Sequence, residues 1–213
     1  MSLIRQNSPV KPKGKSVQRC LQIVLSLCLI TIAACTTVPP APPADIAITF
    51  QHRQPILLRV ANIEVVDQYE PTLKPPHVEH LHRVTPASVV HSWANERLET
   101  VGPRGLVTLI ITQASVIEET LEVEQGVTGL FSDDPDTKLV GLIHARFEHV
   151  DVGPPAASRS VEISAEASVE VLESATLNDR DMAYFRVVEK LAGEFDRVLT
   201  TEIETSLGSL IAR

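Results

Sequence analysis

The sequence predicts an α+β domain, an antiparallel β-meander of about four strands with two amphipathic helices packed on one face. Three observations predict it. Val161, Ile163, Ala165, Ala167, Val169 and Val171 alternate with Glu162, Ser164, Glu166, Ser168 and Glu170, so one side of that strand meets a core and the other meets water. Tyr184, Val188, Leu191, Phe195, Val198, Ile203, Leu207 and Leu210 form an apolar stripe at helical spacing. Between residues 106 and 123 the chain is rich in Val, Ile and Thr, as β-strands favour.

In chain order, residues 56–66 (ILLRVANIEVV) lie between Pro55 and a proline-containing stretch at 71–76, and read as one buried strand. A polar loop with His77, His80 and His82 follows. Thr85 is placed to cap a helix whose first residue, Pro86, has no N–H to leave unpaired. Val89, Val90, Trp93, Leu98 and Val101 fall near one face of that helix, and Gly102-Pro103 should end it. From Leu106 the parity of Val107, Leu109, Ile111, Ile117, Leu121 and Val123 marks a strand. A loop at 126–136 leads to another strand at 138–150, with Leu139, Ile143, Ala145 and Phe147 on one side and His144, Arg146 and Glu148 on the other. The terminal helix should start with Asn178 as its cap, Asp181 in its first turn and Leu177 stapled onto Met182. Gly193 and Gly208 suggest a kink or a close approach there.

Upstream of the domain the chain has a different character. Arg5, Lys11, Lys13, Lys15 and Arg19 precede an apolar stretch at 21–32, and no acid occurs before Cys35. This is the layout of a secretory signal, with an apolar part too short to cross a hydrocarbon core of about 30 Å. Ile32-Ala33-Ala34-Cys35, directly after it, resembles the lipobox of bacterial lipoproteins. The resemblance implies cleavage before Cys35, diacylation of its thiol (palmitate is the usual chain) and acylation of its amine. The other reading of the segment is an uncleaved signal anchor, with Cys35 a bystander.

The expected organisation is thus a signal peptide at 1–34, lipidated Cys35 with a Pro-rich linker to residue 44, and one periplasmic α+β domain at 45–213. The linker TTVPPAPPA should run as polyproline II, roughly 25 Å long. Thr36 in place of Asp after the cysteine implies, by the same resemblance, an outer-membrane destination facing the periplasm. Cys20 and Cys28 lie in the segment removed, so the mature domain has no second cysteine for a disulfide and must rely on its core.

Charge narrows the partners. Five of the 19 basic residues and none of the 27 acids precede Cys35, which leaves the rest near −13. That argues against nucleic acid and against anionic lipid headgroups, so lipid supplies the membrane contact.

The search for chemistry yields no catalytic residue and calls for no cofactor. His77, His80 and His82 with Glu79 are the one metal-like group, but they sit in a proline-bounded loop without an HExxH spacing and are read as ordinary loop histidines, not ligands. No Gly-x-Ser-x-Gly elbow or phosphate-cradling glycine motif occurs. Glu118, Glu119, Glu122 and Glu124, like Asp133, Asp134 and Asp136, read as solvated surface. Val127, Leu130 and Phe131, apolar in a glycine-containing loop between acidic stretches, are candidate contacts to a partner protein or lipid, with Leu130 and Phe131 folded back as a core plug the alternative.

Trp93-Ala94 on a helix, a strand meander, and Ala175-Thr176-Leu177-Asn178 leading into the terminal helix resemble the auxiliary lipoproteins of ABC-type transport systems over residues 50–211. Thr128-Gly129-Leu130-Phe131 is similar to a loop in a group of envelope lipoproteins of no assigned activity. The resemblance implies a non-enzymatic accessory subunit of a lipid-trafficking transport or assembly complex. Its alternative is a carrier that holds a lipid or other apolar ligand between sheet and helices, and a hydrolase built on His80 or His82 is the weakest reading.

Overall fold

The architecture follows from the two periodicities above, which the computed structural model resolves for residues 47–122, 134–151, 153 and 156–212. They belong to one unit, Ile46–Arg213. Cys35, the linker, and Val127, Leu130 and Phe131 lie outside the described residues.

Among the described residues six strands and two α-helices run in the order β1 (Ile56–Leu58), β2 (Asn62–Asp67), α1 (Pro86–Arg97), β3 (Leu98–Thr100), β4 (Leu106–Thr120), β5 (Pro135–Asp151), β6 (Ala157–Leu172) and α2 (Leu177–Ser206). The main sheet has the order β2-β4-β5-β6, with β4, β5 and β6 antiparallel and β2 parallel to β4. The α+β class holds, but the sheet is mixed instead of a pure antiparallel meander. The cause is α1, which carries the chain back between β2 and β4 so that the two strands run the same way.

Three long strands behave as their alternation requires. Ile163, Ala165 and Val171 are buried while the intervening Glu and Ser residues of β6 are exposed, and Leu139, Ile143, Ala145 and Phe147 of β5 join the same core. In β4 the register shifts between Ile111 and Gln113. Such a bulge flips the parity of everything after it. Val107, Leu109 and Ile111 face the core before it, Ala114 and Val116 after it, and Ile117, expected inside, is only partly buried.

The expected single strand at 56–66 is two. β1 pairs in parallel with β3, and the chain turns through Arg59 and Val60 before β2 begins. β2 is an edge strand with exposed or half-buried residues, not a buried one. On the other side of β1, Ile211 bridges Leu58, and Ala212 N–H donates to Leu57 O at 2.8 Å, so the C-terminus completes this small layer.

α1 starts as expected, with Thr85 accepting from Ser88 N–H, but stops at Arg97 instead of at Gly102. Leu98–Thr100 becomes β3 because Leu58 O and Val60 O accept from Val101 N–H (2.8 Å) and Gly102 N–H (3.1 Å). Val101, placed on a helix face from sequence, is exposed. Gly102 has its own reason: a Cβ there would lie 2.4 Å from the Arg59 carbonyl carbon, so only glycine permits this crossing. Gly105 follows with φ +90, where side chains are strained.

α2 is capped by Thr176, two residues before the expected Asn178. Thr176 Oγ1 accepts from Asp179 N–H and the Asp179 carboxylate accepts from Thr176 N–H at 3.0 Å. This is a capping box with aspartate in the third position. Asp181 is therefore not the residue that answers the helix end, and Leu177, 84% exposed, staples nothing. The apolar stripe packs as read: Tyr184, Val188, Leu191, Phe195 and Ile203 are buried. Gly193 has nothing within 4 Å of where a Cβ would stand, so no close approach explains it.

Both helices lie on one face of the main sheet and meet over it. Trp93 of α1 stands edge-on to Phe195 of α2, ring centroids 5.6 Å apart at 82°. With Phe147, Leu109, Ile143 and Leu191, all fully buried, they fill the space between helices and sheet. Among the described residues no helix is long and apolar enough to cross a membrane.

Candidate functional site

Two buried carboxylates organise the polar interior. Asp196 projects from α2 into the helix seam, 6% exposed. Its Oδ1 accepts from Trp93 Nε1–H at 2.7 Å and from Arg97 Nε–H at 3.0 Å, and Arg53 Nε lies 3.6 Å from Oδ2. Arg97 is equally buried, so the two charges compensate each other where little water reaches. Trp93 and Arg97, four apart on α1, share a face and converge on one acid. Phe50 N–H donates to Glu96, and this fixes the segment before β1 onto the same seam.

The second carboxylate, Glu79, sits in a 3₁₀ turn (Glu79–Leu81) and is 1% exposed. Oε1 accepts from the Tyr69 hydroxyl at 2.7 Å, and Oε2 from Val116 N–H at 3.2 Å. Around it, Val78 N–H donates to Val116 O (2.9 Å) and Glu118 N–H to Pro76 O (2.8 Å). The loop after β2 therefore continues the cover of the β4 edge past the point where β2 ends. Burial first, then the hydrogen bond to Glu79, drives the Tyr69 phenol well above its ordinary range.

The histidines around Glu79 diverge. His77 Nδ1 lies 3.5 Å from Glu79 Oε1. His82 stacks on Tyr184, ring centroids 3.5 Å apart, with Nδ1 4.0 Å from Asp181. Among the described residues no three His, Cys, Asp or Glu side chains converge as metal ligands. The loop is nevertheless not plain surface, as the sequence suggested, because Glu79 and Tyr69 lock it down. Glu79 was named from sequence only as a neighbour of the loop histidines, and neither Tyr69 nor Asp196 was singled out. For Asp196 a signal was present, an acid beside Phe195 within an apolar stripe; for the burial of Glu79 the sequence carries none.

His82 gives the fold a pH dependence. Burial lowers its pKa, opposed by Asp181 and assisted by His80. A histidine whose folded value lies below its unfolded one contributes stability in full above about 6.5, and loses it as pH falls through the folded value. The melting temperature should therefore drop between pH 7.5 and 5. His82→Phe, which keeps a ring on Tyr184 but does not titrate, should flatten part of that drop. His149, lowered by burial against the pull of Asp151, should contribute in the same direction. Identical pH profiles for wild type and His82→Phe would show that His82 takes no part.

No family model matches the chain, and no curated protein matches it either. Solved structures do resemble it. The rare lipoprotein B of Shewanella oneidensis is 14% identical, with a TM-score of 0.39 over 70% of this chain and 98% of its own. A minor lipoprotein of Acinetobacter baumannii is 10% identical, with a TM-score of 0.37 over 75% of this chain and 99% of its own. Likenesses of this size decide neither fold nor function, which rest on the residues themselves.

A cleft of about 640 Å³ lies at the free side of β2, between that strand, α1 and β3. A smaller one, about 110 Å³, sits under His82 beside Arg180 and Asp181 at the start of α2.

Proposed function

We propose that this chain is a lipid-tethered protein of the cell envelope, held at the outer membrane and facing the periplasm, that serves as a non-enzymatic accessory subunit of an ABC-type, lipid-trafficking transport or assembly complex. The observation that carries this reading is the order of segments: a basic start, a short apolar stretch, Ile32-Ala33-Ala34-Cys35, and a proline-rich spacer before the α+β unit. Burial of each acyl CH₂ contributes about 0.8 kcal/mol, so the three chains expected on Cys35 make a lasting anchor for an acidic body. The buried ionisable groups support an accessory role, since Asp196 and Glu79 are engaged in holding elements together. Val127, Leu130 and Phe131, between β4 and β5 in sequence, are assigned to partner contact.

The ligand-carrier alternative would require a site between sheet and helices. That space holds Trp93, Phe147, Leu191 and Phe195 at 0% exposure, and they would have to part.

The test is metabolic labelling with radioactive palmitate, followed by gradient fractionation and co-purification from detergent-solubilised membranes. Label on wild type but not on Cys35→Ser, recovery in the outer-membrane fraction and a stable protein partner are expected. Equal label on both chains removes the anchor, and purification without any partner removes the accessory role.

A further inference from the structure

We infer that the free edge of β2 and the cleft beside it form a docking site for an extended polypeptide segment of a partner protein, one in which apolar residues alternate with basic ones. The inference deepens the accessory reading and rests on it for the source of the partner.

β2 is the outermost strand of the main sheet. Asn62 N–H donates to Gly105 O at 3.3 Å and Gln68 N–H to Ile111 O at 2.9 Å. With a period of two, the N–H and C=O groups of Asn62, Glu64 and Val66 point toward β4, and those of Ile63, Val65 and Asp67 point away from it. Among the described residues these outward groups meet no backbone partner. Edge strands are commonly protected by charged side chains, above all lysine, by proline, by a bulge or by a covering element. β2, Asn-Ile-Glu-Val-Val-Asp, has neither proline nor lysine, and its pairing with β4 is regular throughout.

The cleft gives such a strand a place for side chains as well as backbone. Half-buried Ile63 and Val65, with buried Ala94 and Leu98 behind them, supply the apolar part of the wall, and Asn62, Asn95, Glu99 and Thr100 the larger polar part. His91 of α1 reaches Asp67 at 3.0 Å and closes one end. A strand added here would put alternate side chains into the cleft and the others on the opposite face of the sheet, beside exposed Glu64. Glu64 is exposed on that opposite face, so complementarity selects basic residues there, while the apolar ones of the added strand turn toward Ile63 and Val65.

Other occupants fit less well. The chain's own spacer has prolines at 39, 40, 42 and 43, which cannot donate to a ladder. A second copy pairing β2 against β2 would bring two sets of Glu64 and Asp67 together.

The experiment uses the full chain in detergent and three eight-residue probes: Val alternating with Lys, Val alternating with Glu, and the Val/Lys peptide N-methylated at every second amide. Binding is read by fluorescence anisotropy and amide hydrogen exchange. The Val/Lys peptide should bind and slow exchange at Ile63 and Val65, while the other two bind at least about tenfold more weakly. Val65→Pro removes an outward donor without removing a β2–β4 bond, and should abolish binding. Glu64→Lys, at an exposed position, should shift preference toward the Val/Glu peptide without altering the melting temperature. Binding unaffected by both substitutions, or binding that leaves Ile63 and Val65 exchange unchanged, overturns the inference. So does protection of those amides in a dimer without peptide, which would assign the edge to a second copy. These readouts do not involve the membrane, so they fail separately from palmitate labelling and co-purification.

Discussion

Replacing Asp196 with alanine will lower the free energy of unfolding by about 3–5 kcal/mol, the cost of leaving one member of a buried ion pair alone. Arg97, 6% exposed, would keep its charge with Thr200 Oγ1, 3.4 Å away, as its remaining neighbour. Trp93 Nε1–H would lose its acceptor at the same time. For a domain of this size the melting temperature should fall on the order of 10 °C. The double replacement Arg97→Met with Asp196→Leu should recover much of that loss, because it removes both charges and fills the seam with apolar volume. Urea denaturation of the single and double variants measures this. A single variant within about 1 kcal/mol of wild type would mean that water reaches Arg97 and that the seam is not the dry junction described.

Glu79→Ala should cost roughly 2–4 kcal/mol, since it deprives the Tyr69 hydroxyl and Val116 N–H of their shared acceptor. The damage should be local first. Amide exchange should accelerate at Val78, Val116 and Glu118, the groups that fasten the loop to β4, while Leu109 and Phe147, paired further along β4 and β5, remain slow. Tyr69→Phe removes the donor alone and should cost only about 1 kcal/mol. In Glu79→Gln the Tyr69 phenol should titrate closer to its ordinary value, because one of the causes that raises it is gone. Uniform acceleration of exchange across the sheet would show that Glu79 supports the whole fold and not this loop.

These two acids also show what was hidden in the sequence. Asp196 and Arg97 are 99 residues apart, and their meeting depends on how α1 and α2 cross. Glu79 and Val116 are 37 apart and meet because a loop replaces β2 along the β4 edge. Of the candidate site, the loop histidines were visible as residues but not as divergent neighbours of a buried acid. The cleft beside β2 was not visible at all, because 56–66 reads as one buried strand until β1 and β2 are seen to join different sheets.

The sequence by itself determined what depends on local periodicity: the alternation of β5 and β6, the apolar stripe of α2 and the Thr85 cap. Each follows from side-chain spacing along one stretch of backbone. Only the tertiary structure decided the parallel pairing of β2 with β4, the parity switch at the β4 bulge, the end of α1 at Arg97 and the burial of Glu79 and Asp196. Each of these is a choice of hydrogen-bond partner distant in sequence, and no local pattern encodes which distant groups will be within reach.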